Sequence, residues 1–276
     1  MTLPTLAVTG STGIVGGIVA TELADAGIPQ RLLVRDPTRA PQLDRSVVLQ
    51  NTYGEPTDAL DGVEVLFMVS AAESQTRREE HLAFVDAAAA AGVRHIVYTS
   101  FQGAAADSVF TLGRDHFATE QHIRSSGMDF TLLRDAFYLD FMPSMVGDDG
   151  VLRGPAGDGR AAIVAREDVA RTAARVLDNP FAHLNQTYNL TGPERLTLEE
   201  VAATIEASTG TPTAFHNETI DEAYASRESY GAPDWQVDAW VSTYTSIAAG
   251  EQNVLSDDVE RVTGLVPLSL REFLAQ

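Results

Sequence analysis

A glycine-rich turn near the start of the chain could bind a dinucleotide. The stretch LAVTGSTGIVGG at 6–17 places Gly10, Gly13 and Gly16 three residues apart, between an apolar run and a helical pattern. In such turns the first glycine permits the tight turn, the second lets the backbone approach a pyrophosphate, and the third lets helix and strand pack closely. Backbone N–H groups and the helix dipole then bind the pyrophosphate. The spacing therefore predicts a dinucleotide site.

Arg35 indicates which dinucleotide this would be. An acidic residue at the end of the second strand binds the ribose 2′-hydroxyl of NAD, whereas this chain reads LLVRDPTRA at 32–40. Arginine suits a 2′-phosphate through bidentate, charge-assisted hydrogen bonds, and Arg39 follows one helical turn later. We therefore expect NADPH, with NADH possible. Asp36 leaves two alternatives open, a carboxylate for NAD or the N-cap of a helix that begins at Pro37.

The proton donor is the open question, because the chain contains no lysine: all 19 Lys-plus-Arg residues are arginine. A tyrosine–lysine proton relay therefore cannot operate. In GRDHFATEQHI at 113–123, His116 is the remaining group that could donate or accept a proton near neutral pH. Two other interpretations stay open for His116, a contact with the cofactor ribose and a position on an exposed helix turn. Tyr98 lies inside a predicted strand, so we expect it in the core.

Alternating strand and helix patterns must position these residues. Short apolar runs alternate with helical patterns over the first half of the chain, which predicts βαβ units and a parallel sheet with helices on both faces. The predicted strands are 6–9, 31–34, 47–49, 63–69, 96–99, 130–133 and 187–190. The predicted helices are 14–26, 76–91, 114–126, 167–177 and one that begins after Thr197 with Glu200 at the capping-box position.

The predicted fold class is therefore α/β, a doubly wound parallel Rossmann sheet with a smaller, mainly helical C-terminal substrate-binding domain. We expect the Rossmann domain over 1–134, with 161–190 returning to it. The smaller substrate or lid domain is expected over 135–160 and 191–276. Within it, GDDGVLRGPAGDGRAA at 147–162 is rich in Gly, Asp and Pro and is predicted to be a loop.

Composition excludes several classes of function. The net charge of −20 disfavours nucleic acid or an anionic membrane as a partner. The absence of cysteine excludes disulfides and thiolate chemistry, and the histidines show no metal-ligand spacing, so no metal is expected. The sequence has no run of about 18 apolar residues and no basic segment before its first strand, so neither a membrane span nor a signal peptide is expected. We therefore expect a cytoplasmic monomer or homodimer whose partner is a small molecule.

The motifs, taken in order, resemble the NmrA-like family, an atypical branch of the short-chain dehydrogenases/reductases. The resemblance rests on TGSTGIVGG, LLVRDPTRA, AAGVRHIVYTS, HFATE, FTLLRDAFY and GPAGDGRAAIVAREDVA, and it covers essentially the whole chain. Within the family the likeness is to members of the NADPH:quinone oxidoreductase and triphenylmethane reductase type. The cofactor-binding residues expected with this resemblance are Gly10, Thr12, Gly13, Ile14, Val15, Arg35, Ser70, Ala71, Ala72, Thr99, Ser100, Phe101 and His116.

The resemblance places Thr99 and Phe101 beside the nicotinamide, and Phe137 and Tyr138 at the mouth of the substrate site. The catalytic candidates are His116, Thr99 and Tyr138. We expect Phe101, Phe137, Tyr138 and Trp235, or Trp240, to stack against a flat substrate, with interior packing as the alternative for the tryptophans. Two positions depart from the family pattern: Asp135 stands where related proteins have Asn, and Thr52 where they have Asp. The second departure leaves Asn51 as a substitute in adenine recognition.

Hydride transfer to a quinone-like or other planar conjugated acceptor needs little protein-supplied acid, because the electron sink is in the substrate. We therefore expect an NADPH-dependent oxidoreductase that transfers hydride directly to such an acceptor. One alternative is an NADP(H)-binding redox sensor or regulator without turnover. Another is a nucleotide-sugar epimerase-like enzyme, although that chemistry normally relies on the missing tyrosine–lysine pair.

Overall fold

A seven-stranded sheet is the main feature of the computed structural model, which describes residues 3–276. The strands of the described chain are β1 (Leu6–Thr9), β2 (Gln30–Val34), β3 (Ser46–Gln50), β4 (Val65–Met68), β5 (His95–Phe101), β6 (Asp129–Asp135), β7 (Val151–Gly154), β8 (Gln186–Leu190) and β9 (Ala214–Asn217). Seven of them form one sheet in the order β3-β2-β1-β4-β5-β6-β8, and β7 pairs with β9 in a second sheet.

The large sheet is parallel. β1 pairs in parallel with β2 on one side and β4 on the other, so that Ala7 lies opposite both Arg31 and Leu66. The pairs β2–β3 and β4–β5 are parallel as well. At the far edge, Asn185 N donates to Phe130 O and Ala136 N donates to Leu190 O. These two backbone hydrogen bonds show that β6 and β8 are parallel. The predicted α/β, Rossmann-like class is thereby confirmed.

Helices connect and flank the strands. They are α1 (Ile14–Asp25), α2 (Arg77–Ala90), α3 (Thr111–Ser125), α4 (Arg166–Asp178), α5 (Leu198–Thr209), α6 (Ile220–Arg227), α7 (Asp234–Ala248), α8 (Asp258–Thr263) and α9 (Leu270–Phe273). The chain builds outward from β1 to β3 and then crosses back to β4 on the other side of β1. In sheets of this kind, ligands bind outside the carboxyl ends of the strands where the order reverses. That point lies between β1 and β4.

Helix α5 begins where its local sequence predicts. The Thr197 hydroxyl accepts a hydrogen bond from the Glu200 backbone N–H, and the Glu200 carboxylate accepts one from the Thr197 backbone N–H. These reciprocal bonds satisfy N–H groups that the first turn of a helix leaves without partners. The capping box predicted at this helix is therefore confirmed.

The chain divides into two compact units. The first contains the described residues up to Ser100 together with His116–Arg134 and Glu167–Tyr188, and the second contains Phe101–Asp115, Asp135–Arg166 and Asn189–Gln276. The units follow the predicted domain ranges closely, except that Phe101–Asp115 falls in the second unit. The partition into a cofactor domain and a substrate domain stays a prediction.

The core of the first unit is formed by side chains from the sheet and from α2. Leu66, Ile96 and Leu132 from neighbouring strands pack with Phe84 of α2, and all four are buried. Tyr98 belongs to this cluster, and its ring is fully buried, as its position within a strand predicts. Burial of apolar surface on this scale is what makes a parallel sheet stable.

The predicted loop at 147–162 contains a strand, which the sequence analysis missed. β7 pairs in parallel with β9, with Leu152 opposite Phe215. Leu152 is fully buried and packs with Leu198 and Ile247 in the core of the second unit. Four residues between glycines carry too weak a pattern to predict a strand, and only the pairing with a segment about 60 residues away defines one. The second unit is otherwise mainly helical.

Candidate cofactor and active site

The glycine turn adopts a conformation that requires glycine. Gly10 has a φ of +66°, and a Cβ atom at this position would lie 2.9 Å from the Cβ of Val69. A Cβ atom on Gly16 would lie 2.3 Å from the carbonyl oxygen of Gly10. Glycine is therefore required at position 10 by the left-handed backbone, and at position 16 by the close approach of α1 to the end of β1.

The N-terminus of α1 is left open to an anion. Gly13 is its N-cap and supplies no side-chain hydrogen bond, and the first turn carries no acidic residue. The first N–H groups of a helix have no partners within the helix, and the helix dipole favours negative charge there. This end of α1 therefore has the chemistry that a pyrophosphate needs.

A cavity of about 440 Å³ opens at the carboxyl ends of β1, β2, β3 and β4, within the first unit. This volume lies in the range of small-molecule and cofactor sites. The cavity brings together seven of the residues predicted to bind cofactor. They are Gly10, Thr12, Gly13, Arg35, Ser70, Ala71 and Ala72. The rest of its wall comes from Thr9, Leu33, Val34, Asn51, Thr52, Tyr53, Val69, Glu73, Ser74 and Glu80.

Arg35 and Asp36 have different surroundings in this region. The Asp36 carboxylate caps a short 3-10 helix (Pro37–Arg39) by accepting hydrogen bonds from the backbone N–H of Thr38 at 3.0 Å and from its hydroxyl at 2.6 Å. The side-chain bond from Thr38, followed by the backbone bond, lowers the pKa of Asp36. Arg35 is exposed at the cavity wall. The capping interpretation of Asp36 therefore accounts for its carboxylate, and the contact of Arg35 with a 2′-phosphate stays a prediction.

Two polar atoms at the cavity wall are buried without a hydrogen-bond partner among the described residues. They are Nδ2 of Asn51 and Oγ of Ser74. A buried polar atom without a partner is destabilising by about 1–3 kcal/mol. Together with the glycine turn and the open end of α1, these atoms fit a ligand rich in hydrogen-bonding groups, as an adenine dinucleotide is.

The backbone at 70–71, which forms part of the cavity wall, is held by side chains from β5 and α2. The Thr99 hydroxyl accepts a hydrogen bond from Ser70 N at 2.8 Å. Ala71 N donates to Nε2 of His81 at 2.9 Å, and Nε of Arg77 donates to Ala71 O at 2.9 Å. Both polar groups of Ala71 are therefore fixed from α2, so this wall of the cavity is organised before any ligand binds.

His116 lies one step behind this wall. It is 6% exposed, which excludes the exposed-turn interpretation. Its Nδ1 lies 3.0 Å from the Tyr98 hydroxyl and its Nε2 lies 3.0 Å from Nη2 of Arg77. Burial, and then the charges of Arg77 and His81, hold the pKa of His116 well below its usual value. A neutral imidazole that accepts from Arg77 is what this geometry requires, because an arginine can only donate.

The motif HFATE places two further residues into the same network. The Thr119 hydroxyl lies 3.1 Å from Nδ1 of His81, whose pKa is lowered by burial to about 3. The Glu120 carboxylate accepts hydrogen bonds from Ser100 Oγ at 2.6 Å and from Nε of Arg134 at 2.7 Å. Ser100 is fully buried, so its hydroxyl is used inside the unit. The motif therefore bonds to β5 and β6 and, through His81, to the helix that holds the backbone of Ala71 at the cavity wall.

The aromatic residues predicted at the substrate mouth lie in the second unit. The Phe137 and Phe141 rings have centroids 5.9 Å apart, and the Arg166 guanidinium lies 4.1 Å from the centre of the Phe141 ring and 5.0 Å from that of Tyr138. The Tyr138 hydroxyl donates a hydrogen bond to the Asp135 carboxylate. Burial, and then the charge of Asp135, raise the pKa of Tyr138 well above its usual value. The cluster contains three aromatic rings tilted to one another and one cation.

The family model described as the NmrA-like family matches residues 3–227 of this chain. The chain belongs to the NmrA-like family. A curated relative, the NAD(P)H azoreductase of Xenophilus azovorans, is 30% identical over 275 residues, which cover 96% of this chain and 95% of the relative.

Two solved structures are similar to this NmrA-like protein over nearly its full length. The NADPH-dependent quinone oxidoreductase of Escherichia coli, complexed with NADPH, is 32% identical with a TM-score of 0.89, and 98% of each chain is covered. The triphenylmethane reductase of Citrobacter sp., complexed with NADP(H), is 29% identical with a TM-score of 0.86, covering 99% of this chain and 100% of the other.

Several predicted site residues of this NmrA-like chain lie away from the cavity wall. Val15 is buried in the first turn of α1, whereas Ile14 is exposed there. Phe101 packs on Phe110 in the second unit, with ring centroids 4.9 Å apart. Trp235 is half-buried in the first turn of α7. Their proposed contacts with cofactor or substrate stay predictions.

Arg77 and His81 are the residues that sequence reasoning missed. Both lie on a predicted helix with many charged residues, where an arginine and a histidine are expected to face solvent. The available signal was their spacing, because residues four apart lie on one face of a helix.

Among the described residues no group of histidine and carboxylate side chains could hold a metal ion. In the same part of the chain no helix is long and apolar enough to cross a membrane.

Proposed function

We propose that this protein is an NADPH-dependent oxidoreductase that transfers hydride directly to a quinone-like or other planar conjugated acceptor. The observation that carries the proposal is the cavity at the ends of β1, β2 and β4, where the glycine turn, the open end of α1 and Arg35 converge. The names of the azoreductase, quinone oxidoreductase and triphenylmethane reductase relatives support the same class of reaction.

Each part of the cavity would hold one part of the cofactor. Backbone N–H groups at Thr12 and the start of α1 would bind the pyrophosphate, and Gly13, which has no side chain, would let it approach closely. The Arg35 guanidinium would bind the 2′-phosphate through charge-assisted hydrogen bonds, which makes NADPH the preferred cofactor and NADH a possible one. The fixed backbone at Ser70 and Ala71 would guide the riboses. When bound, NADPH supplies a hydride from its nicotinamide ring.

The chain supplies position rather than a proton. The neutral His116 donates from Nδ1 toward the Tyr98 hydroxyl and accepts from Arg77 at Nε2. Both of its nitrogens are therefore bonded to protein groups. Thr99 likewise holds Ser70. An acceptor with a conjugated electron sink needs little protein-supplied acid, and it takes its proton from water after reduction. Phe137, Tyr138 and Trp235 of the second unit are proposed to contact this acceptor through their rings.

A turnover assay with a matched binding measurement tests the proposal. NADPH oxidation is followed at 340 nm with a simple quinone, an azo dye and a triphenylmethane dye as acceptors, and NADPH affinity is measured by calorimetry. We expect binding and turnover with at least one acceptor, faster with NADPH than with NADH. Tight binding without turnover on the whole panel would overturn the proposal in favour of a redox sensor. Failure to bind either nucleotide would overturn the assignment of the cavity.

A further inference from the structure

The guanidinium of Arg166 lies against two aromatic rings of the second unit rather than against a carboxylate. It lies 4.1 Å from the centre of the Phe141 ring and 5.0 Å from that of the Tyr138 ring. Arg166 is half-buried, and within the described part of the chain its guanidinium forms no ion pair and no hydrogen bond. Acidic residues outnumber basic ones by 39 to 19, so a shortage of carboxylates does not explain this arrangement.

The stability of the fold does not account for an arginine at this position. Arg166 is the first residue of α4, where a cation is destabilising because it opposes the helix dipole. Its contacts with the two rings are stabilising by an amount of the same order. The backbone N–H of Arg166 donates to the Asp140 carboxylate at 3.0 Å, and any residue except proline supplies that N–H. Folding therefore does not require the charge of the side chain.

The surroundings of the guanidinium decide which sign of charge a ligand should carry. The guanidinium already covers the electron-rich faces of Phe141 and Tyr138, so a cationic acceptor would bring a second positive charge to the same faces. Two carboxylates of this region are bonded to protein donors, Asp135 to the Tyr138 hydroxyl and Asp140 to the backbone of Arg166. The donors open to a ligand are those of the guanidinium, and they favour an anion.

The overall charge of the protein cannot produce such a preference. The chain carries a net charge of −20, so long-range electrostatics disfavour an anionic ligand. A directed interaction is required, and the planar N–H fork of an arginine provides one by forming bidentate, charge-assisted hydrogen bonds with an oxyanion. Phe141 is 37% exposed, and its ring lies 5.9 Å from that of Phe137, so apolar surface lies beside these donors. A flat ring system with an acidic group at its edge can use both.

We propose that Arg166 selects planar acceptors that carry a carboxylate or sulfonate group at the edge of their conjugated rings. The acidic group would accept hydrogen bonds from the guanidinium while the rings of the acceptor lie against Phe137 and Phe141. The proposal rests on the proposed function, because it takes the aromatic side chains of this unit to contact the acceptor. It makes Arg166 a residue that determines specificity for the charge of the acceptor, through binding rather than through the chemical step.

The test uses three naphthoquinones with the same short saturated side chain, which ends in a carboxylate, a carboxamide or a trimethylammonium group. The saturated chain keeps the electron demand of the quinone ring nearly constant. Dissociation constants are measured by calorimetry with the protein saturated with NADP⁺, because the oxidised cofactor prevents turnover. We expect the carboxylate to bind roughly tenfold more tightly than the carboxamide, and the trimethylammonium compound to bind most weakly.

Arg166→Gln should bring the carboxylate and the carboxamide to nearly equal affinity, by weakening the binding of the carboxylate. The affinity for the carboxamide is the internal control, because a variant that fails to fold loses both compounds. Arg153→Gln is the matched control for charge. Arg153 lies in the same unit and pairs with the exposed Asp149, so this variant removes one positive charge away from the rings and should keep the wild-type ratio.

The inference is overturned if the wild-type protein binds the carboxylate no more tightly than the carboxamide, or if Arg166→Gln keeps the preference. An equal loss of the preference in Arg153→Gln would also overturn it, since general charge would then be the cause. NADPH oxidation with the same three quinones and with the dyes of the turnover assay tests the proposed function separately. Preferred binding of the carboxylate without any turnover would refute the proposed function and leave the role of Arg166 standing. Equal binding and reduction of all three quinones would refute the role of Arg166 and leave the proposed function standing.

Discussion

The Arg77 guanidinium donates a hydrogen bond from Nη2 to Nε2 of His116 across 3.0 Å. Both side chains are buried. Because arginine is charged and can only donate, His116 must be neutral with its hydrogen on Nδ1, which faces the Tyr98 hydroxyl. A lysine in place of His116 would put a second buried cation against Arg77. The hydrogen-bond network of Arg77, His116 and Tyr98 is therefore incompatible with a charged lysine at position 116.

His116→Lys should destabilise the folded protein by about 3–5 kcal/mol, the range expected for an uncompensated buried charge. His116→Gln is the matched control, because its amide can accept from Arg77 and donate to Tyr98 within a similar volume. The free energy of unfolding in urea distinguishes the variants. A lysine variant as stable as the wild-type protein would show that the Arg77–His116 contact does not restrict this position.

Arg77→Ala should weaken NADPH binding by about tenfold, because the Ala71 carbonyl and His116 each lose a charged donor. Calorimetry measures the change. Arg78, the neighbour of Arg77, is the control, since it pairs with Glu79 on the exposed surface at 3.1 Å and Arg78→Ala should alter NADPH affinity little. Equal affinities for the two variants would contradict the role of Arg77 in holding the cavity wall.

Arg35→Ala should raise the Kd for NADPH by about tenfold or more and change that for NADH much less, because only NADPH carries the 2′-phosphate. Asp36→Asn serves as its partner experiment. Since the Asp36 carboxylate caps Thr38, this variant should leave the ratio of the two affinities unchanged. A shift of that ratio toward NADPH in Asp36→Asn would instead indicate that the Asp36 carboxylate binds the ribose hydroxyls of NADH.

The stability of the protein should fall as the pH is lowered from neutrality. Burial lowers the pKa of His81 to about 3 and that of His95 to about 4. As the pH falls, these two histidines are therefore protonated in the unfolded chain before they are protonated in the folded protein. The stabilisation is fully present above the unfolded pKa of about 6.5 and decreases below it, by up to about 1.4 kcal/mol per pH unit for each group. Urea unfolding between pH 7.5 and 5 measures the slope. A free energy of unfolding that is flat over this range would contradict the buried, neutral state of these histidines.

Tyr138→Leu should lower kcat/KM for a quinone acceptor by about tenfold, because it removes a ring that is proposed to contact the acceptor. NADPH affinity should stay unchanged, because Tyr138 lies in the second unit whereas the residues that line the cofactor cavity lie in the first. The raised pKa of Tyr138 means that the wild-type rate should show no step from this group between pH 6 and 9. Tyr224→Leu is the control, because it removes an exposed ring whose hydroxyl donates to the Asp238 carboxylate at 2.8 Å. If both variants behave alike, Tyr138 has no part in acceptor binding.

Parts of the site that depend on neighbours in sequence could be predicted closely. The glycine turn is defined by spacing of three residues, and the end of β2 by the apolar run that precedes Arg35. The network around His116 could not be predicted, because its members come from α2, β5 and α3, up to 39 residues apart. From the sequence, the same histidine is equally compatible with a surface, a cofactor contact or a catalytic role.

The sequence by itself determined the parallel sheet, the dinucleotide turn and the family, because hydrophobic period, glycine spacing and capping residues act over a few positions. Only the tertiary structure decided that His116 is buried, neutral and bonded to Arg77, and that Asn51 carries an unpaired donor into the cavity wall. Protonation state and hydrogen-bond partners depend on burial and on groups distant in the chain. These quantities become defined only when the sheet brings its strands together.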